Sequence, residues 1–258
     1  MGSALAKALL ASSFCSKSAL HIAERNSETR LLLSNELGCT VAESFSDLEA
    51  SREAMVFLAV KPLDGRGACH GLEDFLKNMP VFVSIMAGCS IARLREYLGG
   101  YPRIVRAMPN LPVQVGCGVT AFSCAPELEP SDKARVLKAF QTCGAAFEVA
   151  SEEMVDAATA ISGSGPAYLY YFVEYVQQSA EALGFTTIEA RQMVLATFEG
   201  ALELMKQSGR TANDLRSAVT SPKGTTAAAI AVFESKQIGA IIAEALSAAF
   251  KRARELGS

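Results

Sequence analysis

Histidine is scarce in this sequence: His21 and His70 are the only two among 258 residues. Little is therefore available for imidazole chemistry. Cys69 and His70 are adjacent, which is not the spacing of a zinc site. Seven cysteines (Cys15, Cys39, Cys69, Cys89, Cys117, Cys124, Cys143) all fall in the first 143 residues. None forms a CxxC, and an odd number makes a poor disulfide framework. They read as buried free thiols in a reducing compartment, so a cytoplasmic protein is expected. A strong excess of one charge is also lacking, since 24 Lys+Arg stand against 27 Asp+Glu. The net charge of −3 argues against a nucleic-acid partner. No apolar run reaches about 18 residues, so no membrane span is expected. Residues 1–14 lack the basic start and long apolar stretch of a signal peptide. No Ser-His-Asp set or metal cluster is offered.

Hydrophobic residues make up 50% and charged residues 20%, the balance of a globular chain with ample core. Residues 2–11 read as a helix and Ala19–Glu24 as a short strand. Glu28–Leu37 reads as a helix closed by Gly38, the residue that helix C-caps favour. Short runs, most of them continuously apolar, follow at 55–60, 80–85, 103–108, 118–123 and 147–149. Such runs fit strands covered on both faces, and helical stretches lie between several of them. The rhythm predicts a parallel, doubly wound α/β sheet over residues 1–150. Residues 151–258 show no strand pattern and predict an all-helical domain. Its helix from Ala167 to Leu183 is apolar on nearly all sides at its start, as expected of a helix that is deeply buried or shared with another chain. Thr186 with Glu189 forms a capping box for the next helix. A last helix is expected from about Gln237 to Leu256.

Ligands of doubly wound sheets sit beyond the carboxyl ends of the strands. The residues found there are Arg25-Asn26-Ser27, Ala59-Val60-Lys61-Pro62, Ser84-Ile85-Met86-Ala87-Gly88 and Met108-Pro109-Asn110. An arginine at the place of Arg25 suits the 2′-phosphate of NADP, because its planar fork donates two hydrogen bonds. Glu24, one residue earlier, offers the acid that suits the 2′-hydroxyl of NAD. In the second half, Val219-Thr220-Ser221-Pro222-Lys223-Gly224-Thr225-Thr226 precedes an Ala-rich helix. A helix start is a ready anion site. The competing reading is a plain turn in which Thr225 or Thr226 caps the helix.

Five segments carry a resemblance over the whole chain: LAVKP (58–62), VFVSIMAG (81–88), RAMPN (106–110), SGSGPAY (162–168) and VTSPKGTT (219–226). With these the chain resembles pyrroline-5-carboxylate reductase. The resemblance implies a Rossmann domain and a helical domain that dimerises, often in rings of dimers. It implies reduction of the cyclic imine 1-pyrroline-5-carboxylate to L-proline with NADPH, or NADH as the alternative donor. A protonated cyclic imine accepts hydride readily, so positioning is the main task. By the same resemblance, Ser221, Gly224, Thr225 and Thr226 grip the substrate carboxylate, with the Thr226 hydroxyl facing the ring nitrogen. Glu152 falls near the substrate. Gly2, Arg25, Asn26, Ala59, Val60, Lys61, Pro62, Met86, Ala87 and Asn110 line the cofactor.

Three departures stand out. Leu111 takes the place of a Thr, and Lys223 that of a common Gly. Met1-Gly2-Ser3-Ala4 matches only the end of the family's GxGxxG turn, so the first strand and first two glycines are missing. The sequence is therefore expected to be a shortened form, lacking roughly ten residues. Weak NADPH binding, rescued by restoring the missing segment, is expected with it. A catalytically impaired binding subunit is the alternative. A β-hydroxyacid dehydrogenase fits less well, because those enzymes use a lysine on a helix after the domain junction and 167–183 has none.

Overall fold

A computed structural model describes every residue except Glu49, Glu73 and Ser258. The chain divides into two compact units, one of residues Met1–Pro166 and the stretch from Ala248 onward, the other Ala167–Ser247.

In the first unit, α1 (Gly2–Ala11), β1 (His21–Ala23), α2 (Ser27–Leu37) and β2 (Thr40–Ala42) come first. β3 (Met55–Leu58), α3 (Gly65–Cys69), β4 (Val81–Ser84), α4 (Ile91–Tyr97) and β5 (Ile104–Pro109) follow. β6 (Gly118–Cys124), α5 (Pro130–Gln141), β7 (Gly144–Glu148) and α6 (Glu152–Ala158) complete the run, and α6 continues into a π-helical turn, Thr159–Gly163. Among the described residues the strands form two sheets, β1-β2 and β3-β4-β5-β6-β7.

The alternation along β4 explains why the larger sheet is covered on both faces. Val81 and Val83 pack with Val105, Phe122, Val136 and Phe140 on the side of α5, and with Ala4 and Leu5 of α1. Phe82 packs with Ile104, Leu94 and Leu98 on the side of α4. Every residue of β4 is buried, which accounts for the absence of polar alternation along Val81, Phe82 and Val83. α1 serves both sheets, because its Ala6 belongs to a separate cluster with Leu37 and Cys39, flanked by Ile22 and Val41.

Two features differ from the sequence reading. The sheet is parallel except at β5-β6, where Val105 faces Cys124 and Pro109 faces Thr120. Only the short 3-10 turn Leu111–Val115 links these strands, and a parallel pair would need a longer crossover. β2 was not anticipated, since three residues after a helix cap carry almost no periodic signal. The helix ends follow their chemistry: Asn26, Ser90 and Ser151 accept an N–H of the first turn of α2, α4 and α6, and Gly38 closes α2 in the left-handed region.

The second unit is helical: α7 (Gly165–Ala182), α8 (Thr187–Ser208), α9 (Ala212–Ala218), α10 (Thr225–Ser235) and the start of α11 (Ile238–Gly257). The capping box of Thr186 and Glu189 is present. Within Ala167–Ser247, Ala190 and Val194 are the only described residues that are buried. Among the described residues no single helix is long and apolar enough to cross a membrane, although α10 and α11 pass that test together across a 52° bend.

Candidate active site

β3, β4 and β5 run parallel, so the turns after them open at one end of the sheet. After β3, Ala59, Lys61 and Pro62 are exposed. Val60 packs partly into the core beside Leu58, and Pro62 starts a 3-10 turn behind Lys61. After β4, Ala87 is half-buried, but Met86 is 2% exposed and belongs to the core. The thioether of Met86 fills the space beside Gly65. The Met86 side chain thus belongs to the core, and only its backbone borders the turn.

α1 starts against this same strand end. Met1 is its N-cap residue and no side chain bonds to its first N–H groups. A Cβ on Gly2 would lie 2.8 Å from the Ala59 Cβ, so glycine permits the approach. An uncapped helix start held against a strand end suits a diphosphate, and on that ground the residues fit a dinucleotide.

The loop after β1 separates two arginines by role. Arg30 Nη1 donates to the carbonyls of Glu24 (3.0 Å) and Arg25 (2.7 Å), and Nη2 pairs with Glu43 at 3.0 Å. Arg30 is spent on shaping the loop, whereas the Arg25 side chain is exposed. The Glu24 carboxylate is turned onto its own loop, accepting the Asn26 N–H at 2.9 Å. The Asn26 side chain accepts the Thr29 N–H at 2.8 Å, so it caps α2.

Glu152 has partners that the sequence did not announce. Its Oε2 accepts the Ile91 N–H at 2.8 Å and lies 3.4 Å from Arg106 Nη1. Arg106 is 3% exposed and also pairs with Asp156. These contacts make Glu152 a tie between α4, β5 and α6. The signal for it was in the sequence: Arg106 is a charge in an otherwise apolar strand, and such a group needs a buried partner. Beside this network the Cys89 thiol is held neutral, with burial pushing its pKa up.

The substrate-loop candidate lies in the second unit. The Gly224 N–H donates to the Ser221 carbonyl at 3.0 Å, closing a turn over Pro222 and Lys223. Lys223 sits at φ 60, the third-position geometry that type II turns give to glycine. Gly224 is the N-cap residue of α10, and no side chain caps that helix. Thr225 and Thr226 are its first two residues, so the reading of either as the cap is corrected. The Thr220 hydroxyl is spent on the Arg216 carbonyl at 2.6 Å. What remains is a helix start with free N–H groups and the hydroxyls of Ser221, Thr225 and Thr226 beside it.

Comparison with known proteins identifies the family of both units. Residues 152–256 match the family described as pyrroline-5-carboxylate reductase dimerisation. Residues 1–88 match the family described as NADP oxidoreductase coenzyme F420-dependent. The pyrroline-5-carboxylate reductase of Corynebacterium melassecola is 33% identical over 261 aligned residues, covering 100% of this chain and 95% of the relative. That of Escherichia coli K12 is 30% identical, covering 99% and 94%. The solved structure of a pyrroline-5-carboxylate reductase from Coxiella burnetii superposes with a TM-score of 0.90 at 30% identity, covering 100% of this chain and 95% of its own. The Plasmodium falciparum enzyme, solved with NADP bound, gives 0.89 at 28% identity, covering 100% and 95%. With relatives this similar over nearly their whole length, the chain belongs to the pyrroline-5-carboxylate reductase family.

Proposed function

We propose that the chain reduces 1-pyrroline-5-carboxylate to L-proline with NADPH, the last step of proline biosynthesis. The observation that carries this reading is the start of α10, where the first N–H groups have no side-chain cap beside three hydroxyls. That is the chemistry of a carboxylate grip. Ser221, Gly224 and Thr225 hold the carboxylate there, and the Thr226 hydroxyl orients the ring nitrogen. NADPH supplies the hydride when bound, the imine carbon receives it, and the protonated ring nitrogen becomes the amine of proline. Gly2, Ala59, Lys61, Pro62 and Ala87 border the cofactor, and Arg25 takes the 2′-phosphate. NADH serves as the alternative donor.

The same reading assigns residues 1–150 to the cofactor and 151–258 to substrate binding and dimerisation. It includes a homodimer, with a ring of dimers as the larger assembly, and a cytoplasmic location. The seven free thiols support that location.

Thr226→Val tests the assignment because it keeps the shape and removes the hydroxyl. Loss of NADPH absorbance with racemic pyrroline-5-carboxylate gives kcat/KM. One lost hydrogen bond in a desolvated site costs on the order of 1–3 kcal/mol, so kcat/KM falls about ten- to a hundred-fold. NADPH affinity stays unchanged. A valine variant with the parent kcat/KM removes Thr226 from the reaction.

A further inference from the structure

β5 carries Arg106 and Met108 at alternate positions, Asn110 follows directly after its end, and all three meet the segment that follows β7. Arg106 pairs with Glu152 and Asp156 of α6. Met108 packs against Gly163, where a Cβ would lie 2.9 Å from the Met108 Cε. Asn110 Nδ2 donates to the Ser162 carbonyl at 3.0 Å, and its Oδ1 accepts the Val119 N–H at 2.8 Å. β5 and the residue after it therefore hold the segment from α6 to the π-helical turn along its length, ending beside the ligand end of the sheet.

The π-turn itself is built, not frayed. The Ser164 N–H bonds to the Thr159 carbonyl at 2.9 Å. The Thr159 and Ser162 hydroxyls each satisfy a carbonyl one turn back, both at 2.9 Å. A π-turn is a costly break in a helix and occurs most often at functional sites. Asn110 is 7% exposed and uses both ends of its amide inside the protein. A side chain so engaged is poorly placed to serve a ligand.

We propose that Asn110 is a positioning residue of the reductase. In place of the cofactor lining that the resemblance implies for it, Asn110 acts through the backbone that it holds and touches neither cofactor nor imine. It fixes the Ser162–Gly163 backbone as a wall at the end of β5, so that the nicotinamide is held in the orientation for hydride transfer. Its removal lowers kcat and leaves cofactor affinity intact. This inference rests on the reductase reading.

Asn110→Asp is nearly isosteric, still accepts the Val119 N–H, and can no longer donate to the Ser162 carbonyl. Amide hydrogen exchange on the full chain without cofactor should show residues 159–166 exchanging about tenfold faster, with β5 and β6 unchanged. Turnover should show kcat lowered about tenfold or more, with the NADPH Kd and the imine KM within about twofold of the parent. Gly163→Ala pushes on the same turn from the Met108 side and should give the same pattern, which guards against an aspartate variant that fails to fold. Parent exchange at 159–166 in both variants overturns the proposal. So does a weakened NADPH Kd with kcat retained, which would make Asn110 a direct contact. A parent chain that does not oxidise NADPH with the imine sinks the reductase reading instead, and the exchange measurement still decides whether Asn110 holds the turn.

Discussion

Lys223 occupies a conformation that an L side chain enters at a cost of roughly 1–2 kcal/mol. Its φ of 60 belongs to glycine, and the family resemblance puts glycine at that position. A cation next to the uncapped start of α10 offers what the strain is held for, an attraction for an anionic substrate. Lys223→Gly should therefore raise unfolding stability by about 0.5–1 kcal/mol, after the extra entropy of the unfolded glycine chain is subtracted. It should also raise the imine KM several-fold at low ionic strength, with kcat retained. Denaturant unfolding and a salt series of KM check the two halves, and an unstabilised variant with the parent KM refutes both. Arg25 invites a second substitution at this scale. It is exposed, whereas Arg30 is bound to two backbone carbonyls and Glu43. Arg25→Ala should weaken NADPH about ten- to a hundred-fold and leave NADH unchanged, because only NADPH loses charge-assisted bonds. Equal effects on both donors, measured by fluorescence titration, would mean that Arg25 is a bystander.

At the scale of elements, the sequence was most legible where one force acted alone. The run 80–85 is apolar without alternation because β4 is buried on both faces. α2 was legible at its C-terminal end and α8 at its start, since Gly38 and the Thr186–Glu189 pair act within a turn of where they sit. Elements that depend on distant partners were less visible. β2 is three residues held by pairing with β1. The antiparallel turn of β6 onto β5 follows from the brevity of Leu111–Val115, a matter of chain length that periodicity does not record. The candidate site divides the same way. The strand-end turns and the SPKGTT loop could be found from local chemistry. The burial of Met86 and the tie from Glu152 to Arg106 and Ile91 could not, because they join residues far apart in the chain. The π-turn belongs with them, since Met108 and Asn110, which contact it, lie far from it in the chain.

For the whole molecule, the two units differ in what they bury. The first has extensive cores on both faces of its larger sheet. The second buries only Ala190 and Val194 among its described residues and leaves Tyr168, Leu169, Tyr170, Tyr171 and Phe172 of α7 exposed. A helical unit without a core of its own cannot offset its conformational entropy unless another surface covers it. The match to a family described by its dimerisation, over 152–256, suggests a second copy as that surface. Tyr171 and Tyr175 sit one turn apart with ring centroids 4.7 Å from each other, an aromatic pair at half or more exposure. Aromatic residues of this kind anchor interfaces. Replacing both with Glu places two charges in the surface that must be desolvated. The parent chain should sediment as a dimer or larger at micromolar concentration, with a Tm that rises with protein concentration. The Tyr171→Glu, Tyr175→Glu double variant should sediment as a monomer and lose helical circular dichroism at lower temperature. The loss should fall on 167–247, since the first unit keeps its own core. A parent chain that is a folded monomer at micromolar concentration would show that residues 167–247 are stable with their apolar face in water, and the dimer would then have no physical basis in this chain.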